Sequence, residues 1–542
     1  MSTDAGDPSG RRTSWLPLTI IALAQLQMGM NLSVLPVSLG PISHDLDAPT
    51  TAAATALLLY SLFCAAFVML GAKIGKLLGE RRVFQGGVIA HGAAMALMAA
   101  STDAGMMNLA QVIAGVAAAA LVPTLVVMIA ANYHGRQQAT ALGVLAGIPA
   151  VSSAVTFVLA GYLATALSWR YSYGLIVLLA VVVLALSYRL TPVARQPGIR
   201  VDVVGVVLSA AAIALILFGF NGLQRWGLLV ALPAAPFSVL RISPAPLLIV
   251  AGIVVGQAFF AWSNARSTRG RQPLLAPEVL ASTEERSAVV AFLVAGSLGL
   301  AVGFLIPLYV QIDQGRTPLA TAVAILPYAV AIALAGVGSV RLYDRIPPRT
   351  LGVASFLLIA TGLLVVAFTV GSGWGTASVI VGLILVGMGE GTLLTLLFNV
   401  LVSASPKRLA GDVGALRGVV NNVSNALGAA FASVVAVGLL AVFLASGFSR
   451  TDLPPRLTTQ AQLGQVDFVT DHELRSVLAA TAAPAAQVDE AVAINEDARK
   501  RALQASFLVV GAISLLAVFP ALRLPRYVPG ELSAEVIAAE LD

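Results

Sequence analysis

One carboxylate stands where a carboxylate is expensive. Glu390 lies near the middle of an apolar, helix-length run, residues 382–399 (GLILVGMGEGTLLTLLFN), which continues to about residue 403. Trp374 flanks it on one side and Lys407 with Arg408 on the other. Those are the length and flanks of a helix that crosses a bilayer. An acid at that depth costs roughly 2.5–3.5 kcal/mol on insertion scales, so it normally faces a protein interior or a wet cavity. Low dielectric favours the neutral acid, whereas water or a cationic ligand favours the carboxylate. A group held between those influences binds a proton or a ligand, each at the other's expense. Glu390 is therefore expected to handle a proton in a protein that moves something across a membrane. The bland alternative is a protonated acid that hydrogen-bonds a neighbouring helix as structural glue. Gly387, Gly389 and Gly391 permit close helix approach under either reading.

Other polar residues inside apolar runs are candidates for contact with a substrate. Gln27, Asn31 and Gln111 have hydrogen-bonding side chains at membrane depth, and local polar packing is the competing explanation. Asn421, Asn422 and Asn425 recur at helical spacing, as substrate contacts or as interhelical glue. Arg417 lies one to two turns inside the same run, where it either snorkels to the surface or meets a partner or an anion. His91 is expected to be buried and neutral, and Tyr309 and Tyr328 are cavity aromatics or interface anchors. The single Cys64 excludes an intramolecular disulfide, and no Cys/His spacing fits a metal site. No Walker A pattern or soluble catalytic constellation occurs, so neither a nucleotide cofactor nor enzymatic activity is expected.

These residues need a frame that crosses lipid. The chain of 542 residues is 58% hydrophobic and only 11% charged, against about 25% charged residues in soluble domains. Apolar runs of spanning length recur from residue 15 to residue 522 and number about fourteen. One of them, at 413–446, is long enough to include a helix break. With a cytoplasmic N-terminus, 21 of the 32 Lys and Arg residues fall in inside segments and 10 in outside segments, with Arg417 within a helix. Six of the outside ten lie in the long segment 446–502, and long loops barely count in this rule. Both termini are accordingly placed in the cytoplasm. The basic residues punctuate spans, which argues for topology rather than for nucleic acid. Segment 446–502, expected outside, is read as a loop packed over the outer mouth, with a stretch at 488–503 able to form a helix. Basic short loops at 71–83 and 338–350, and again at 133–145 and 405–417, occupy matching positions, as duplication of a six-helix unit would leave them.

Several local pieces together resemble the fourteen-helix drug:proton antiporter branch of the major facilitator superfamily. SWRYSY (168–173) resembles its Trp-Arg-aromatic signature, VDVVGVVL (201–208) its Asp-x-x-Gly entry to an inserted helix, and RQPLLAPEVL (271–280) the segment after the inserted pair. GRTPLATAVAILP (315–327) and RLYDRIPPR (341–349) resemble pieces of the C-terminal portion. The resemblance implies an all-α integral membrane protein: two six-helix bundles around a central cavity, with two inserted helices, worked by alternating access. Domain limits of 1–200, 201–285 and 286–542 follow, and Glu390 faces the cavity. Departures accompany the likeness. In the loop after the second run, Lys76 stands where the family has Asp and Glu80 where it has Arg, so the signs are swapped, within an i,i+4 pair whose Lys-first order is the weaker orientation. Gln27 replaces the usual acid of the first helix, and Gln111 begins QVIAG where the family has Arg. Arg341, Asp344 and Arg345, with Arg349, keep the family pattern of a loop that pairs helix ends and biases one access state; the counterpart pair Lys76 and Glu80 lacks a recognisable partner.

The expected function is proton-coupled efflux of amphipathic or cationic small molecules across the bacterial inner (plasma) membrane, by a monomer whose partners are its substrate, protons and lipid. A proton-uncoupled facilitator or lipid/solute carrier on the same fold is the alternative, because the embedded N-terminal charges are missing. A transport-inactive membrane partner protein is the third reading.

Overall fold

The computed structural model describes residues 14–49, 51–133, 135–193, 195, 200–343, 345–369, 377–404, 410–450, 471–479 and 484–526. The N-terminal group of helices comprises α1 (Leu16–Val37), short α2 (Leu39–Asp45), α3 (Thr51–Leu78), α4 (Glu80–Ala99), α5 (Ala104–Asn132), α6 (Gly135–Ala166) and α7 (Trp169–Ser187). The pair α8 (Val203–Trp226) and α9 (Pro244–Thr268) follows. The C-terminal group comprises α10 (Thr283–Pro307), α11 (Pro318–Tyr343), α12 (Pro348–Thr369), α13 (Ala377–Ala404), α14 (Ala410–Phe448), short α15 (Asp471–Ala479) and α16 (Ala485–Leu516). Among the described residues twelve helices are long and apolar enough to cross a membrane. The more polar α4 and the Pro-interrupted α6 pack among those twelve and bring the bundle to fourteen. The protein is an all-α, multi-pass membrane protein.

The motif residues act at helix ends. Ser168 caps α7, while the Trp169 indole and the Arg170 guanidinium both donate to Asp45 at the end of α2, at 2.9 and 2.8 Å. Arg170 also donates to the Ser101 carbonyl, so the Trp-Arg pair ties three helix ends together at one face. Asp202 caps α8 through the Gly205 amide and accepts from Trp262 of α9, with Arg266 at 3.4 Å. The inserted pair is thereby closed on itself, and α8 packs on the seam between α3 and α14 through Leu58, Leu62, Leu217, Ala426 and Ala430.

Three expectations require correction. The long run at 413–446 contains no break: α14 is one helix of 39 residues that projects beyond the bilayer's thickness. The described part of segment 446–502 is largely helical rather than a loop, because α16 begins at Ala485 and extends the last span beyond its apolar stretch. Its Arg499 is fully buried and sits 3.6 Å from Asp313, also buried, where α10 continues as a π-helical turn over Leu308–Asp313. Finally, Lys76 and Glu80 do not form an i,i+4 pair on one helix, since Gly79 (φ +98°) ends α3 and starts α4 between them.

Candidate functional site

Glu390 occupies the middle of α13, and the glycines around it set its surroundings. A methyl group at Gly387 or Gly391 would run into the α11 backbone at Tyr328 and Ile332, and one at Gly389 into α12 at Ser355. The missing side chains let α13 lie directly against both neighbours. Gly299 of α10 provides the space that the Glu390 carboxyl fills, since a Cβ there would overlap it. Glu390 is only 7% exposed in this conformation. Its carboxyl is hydrogen-bonded to the buried Tyr328 hydroxyl, which lies 3.3 Å from the Gly299 carbonyl. One phenolic proton thus faces two acceptors. The sequence offered Tyr328 only as a cavity aromatic or an interface anchor, not as the partner of Glu390; the signal for that pairing was a hydroxyl in an otherwise apolar span.

Further along α13, Phe398 is two turns, about 12 Å, from Glu390. The Arg417 guanidinium of α14 stacks on its ring at 3.8 Å from the centroid, a cation–π contact that substitutes in part for lost hydration. Arg417 makes no ion pair among the described residues. Asn421 and Asn425 follow it at intervals of four on the same face, both partly exposed. Asn422 is buried and donates back to the Gly418 carbonyl at 2.8 Å, so its amide is spent within its own helix.

The N-terminal candidates are arranged differently. Asn31 and Gln111 form a reciprocal amide pair, with bonds of 2.8 and 3.0 Å, and both are fully buried. Gln27 bonds the buried His91 at 2.9 Å. These side chains are satisfied by one another, apart from the Gln27 carbonyl and His91 Nε2, which have no partner among the described residues.

Contacts join the two groups of helices at both ends of the bundle. At one end, Gln311 in the π-helical turn donates to the Val37 carbonyl at 2.9 Å and accepts from the Gly40 amide at 2.8 Å. There too, the Leu319 amide of α11 donates to Thr165 of α6 at 3.0 Å, and Gly161 lets the two helices touch at Pro318 and Ala322. At the opposite end, Gly418 of α14 packs against Val68 of α3 and Val122 of α5. Asp412 at the start of α14 interacts electrostatically with Lys73 and Lys76 of α3 and receives a backbone hydrogen bond from Ala276. Asp412 thus lies within electrostatic range of both lysines, with no ion pair to either among the described residues. Glu80 instead turns inward, buried against Gly75, with one carboxyl oxygen lacking a partner among the described residues. Of the second loop, Asp344 lies outside the described residues, as does the side chain of Arg341, and Arg345 is exposed. No cluster of potential metal ligands occurs among the described residues.

A family model described as Major Facilitator Superfamily matches residues 21–429. The chain is 29% identical to a puromycin resistance protein of Streptomyces alboniger, with 81% of this chain and 84% of that protein covered. It is 27% identical to a multidrug efflux pump of Mycolicibacterium smegmatis, over 84% of this chain and 86% of the relative. Among solved structures, an inward-facing bacterial homologue of the lysosomal transporter Spinster superposes with a TM-score of 0.58 at 14% identity, covering 96% of this chain and 100% of that one.

Proposed function

The chain belongs to the major facilitator superfamily, whose members are transporters, and on that premise we propose that it exports amphipathic or cationic small molecules in exchange for protons, with Glu390 as the coupling acid. The observation that carries this is the seat of Glu390: a lone acid at mid-span, joined to Tyr328 and backed by Gly299. When Glu390 is protonated, its own O–H donates to the Tyr328 oxygen, which frees the phenolic proton for the Gly299 carbonyl. When Glu390 is ionised, the phenolic proton turns to the carboxylate and the Gly299 carbonyl keeps only its helical amide donor. The closed arrangement favours the protonated form, because the ionised acid would bury a charge held by a single phenolic hydrogen bond. Loss of the proton loosens the seat of α13 against α10 and α11 and leaves a carboxylate able to attract a cationic or polar group of the substrate. Proton and substrate then occupy Glu390 in turn. The two relatives above are named as a resistance protein and an efflux pump, which supports export as the direction.

Asp412 with Lys73 and Lys76 serves, in this reading, as the cytoplasmic latch between the two groups of helices, with the family's signs inverted on both sides. The contacts of Gln311 and Thr165 form the outer latch. An uncoupled facilitator remains the second reading, favoured by one observation: Asn31 and Gln111 satisfy each other, and no charge replaces them in the N-terminal spans. Dye transport in inverted vesicles separates the two. Glu390→Gln is expected to abolish the acceleration caused by a pH gradient while leaving the protein folded in the membrane. Gradient-driven export at the wild-type rate in that variant would refute the assignment.

A further inference from the structure

An open groove of about 740 Å³ lies on the flank of the N-terminal group, between the outer faces of α4 and α5. Its walls are apolar, from Val83 and Ala90 on α4 to Ile113 and Val116 on α5. Gly86 keeps it open, with no atom near where its side chain would begin. Two arginines, Arg82 and Arg195, stand at the end beside the α3–α4 turn. Both are exposed, and neither makes an ion pair among the described residues. The neighbouring Arg81 is committed elsewhere, donating to the Tyr188 carbonyl at 2.7 Å. The stem of Arg195 rests against Gly79, whose left-handed backbone makes the turn. The acid adjacent in sequence, Glu80, is buried with its carboxyl over Gly75 and does not line the groove.

We propose that this groove binds one anionic phospholipid, with an acyl chain along α4 and α5 and the phosphate between Arg82 and Arg195. From Arg82 to Ala90 the groove runs about 12 Å along the helix, which is most of the roughly 15 Å hydrocarbon depth of one leaflet. Guanidinium groups match phosphate oxygens in a two-pronged geometry that a zwitterionic headgroup, carrying its own cation, satisfies less well. The paired arginines lie at the end of the bundle that carries the basic loops, where anionic headgroups of the inner leaflet are found. Each feature alone is ordinary on a membrane protein. Two cations without an ion-pair partner among the described residues, at the head of an apolar groove, are complementary to an anionic lipid in both its parts.

The test is native mass spectrometry of the purified full chain equilibrated with an equal mixture of phosphatidylglycerol and phosphatidylcholine. Wild-type protein is expected to retain phosphatidylglycerol at least about tenfold over phosphatidylcholine. The double variant Arg82→Gln/Arg195→Gln should lose that preference, and Gly86→Leu, which fills the groove without displacing a neighbour, should lose the retained lipid itself. An undiminished preference in the double variant, or full retention in Gly86→Leu, would overturn the proposal. So would displacement of the lipid by glycerol phosphate at equal concentration, since that would make the site one for a free phosphate.

Discussion

The two groups of helices use polar residues in opposite ways. In the N-terminal group, Asn31 and Gln111 bond each other twice, and Gln27 bonds His91, all in full burial and none with a formal charge. In the C-terminal group, Glu390 and Arg417 are ionisable, and Asn421 and Asn425 remain partly exposed on the Arg417 face of α14. A paired amide resists change because separating it strands two donors and two acceptors. An acid beside a hydroxyl has two hydrogen-bonded arrangements that differ by one proton. The first group is thus built as a fixed wall, while the second carries the element whose bonding depends on protonation.

The comparison can be broken at several points. Tyr328→Phe removes the hydroxyl that serves Glu390 in both states, and gradient-driven export is expected to fall about tenfold, as loss of one hydrogen bond to a charged group implies. Unchanged export, measured as initial rates in vesicles, would mean that the hydroxyl is only packing. On the N-terminal side, Asn31→Leu alone should destabilise the purified protein by about 1–2 kcal/mol, because Gln111 is left buried without its partner. Asn31→Leu/Gln111→Leu should recover most of that loss in thermal unfolding, and both variants should keep their response to a pH gradient. Loss of that response would make the N-terminal amides part of the transport path. The smallest effect is expected at the latch. Asp412→Lys should shift the balance between access states by about 1 kcal/mol, roughly fivefold in population. Adding Lys76→Asp should restore the balance, as read by cysteine-accessibility labelling at the cytoplasmic face.

Legibility in the sequence followed the physics of each residue. Glu390 was visible because lipid penalises an acid wherever it is placed, whichever neighbours it has. The spans were visible for the same reason, and their motif pieces pointed to the fold before the side-chain clamps at Asp45 and Asp202 could be known. Tyr328 was not visible as a partner, since its pairing depends on how α11 and α13 cross, which the three glycines permit but do not specify. Asp412 was hidden at a helix end, where an acid is ordinary. Its distance in sequence from Lys76 gives no hint that α14 and α3 meet. Gln311 and Asp313 carried no role in the sequence, and Arg499 counted only among the basic residues of segment 446–502. Their burial follows from the π-helical turn and the outward extension of α16, both tertiary features. Lys76 and Glu80 were misread as one helical pair because a single glycine turn breaks the register between them.

The central claim is that a proton and the substrate compete for Glu390. It is tested most directly by adding substrate to purified protein in weakly buffered solution and recording the pH. The account predicts proton release on substrate binding by the wild type and none by Glu390→Gln at matched occupancy. Equal proton release by the two proteins would contradict it.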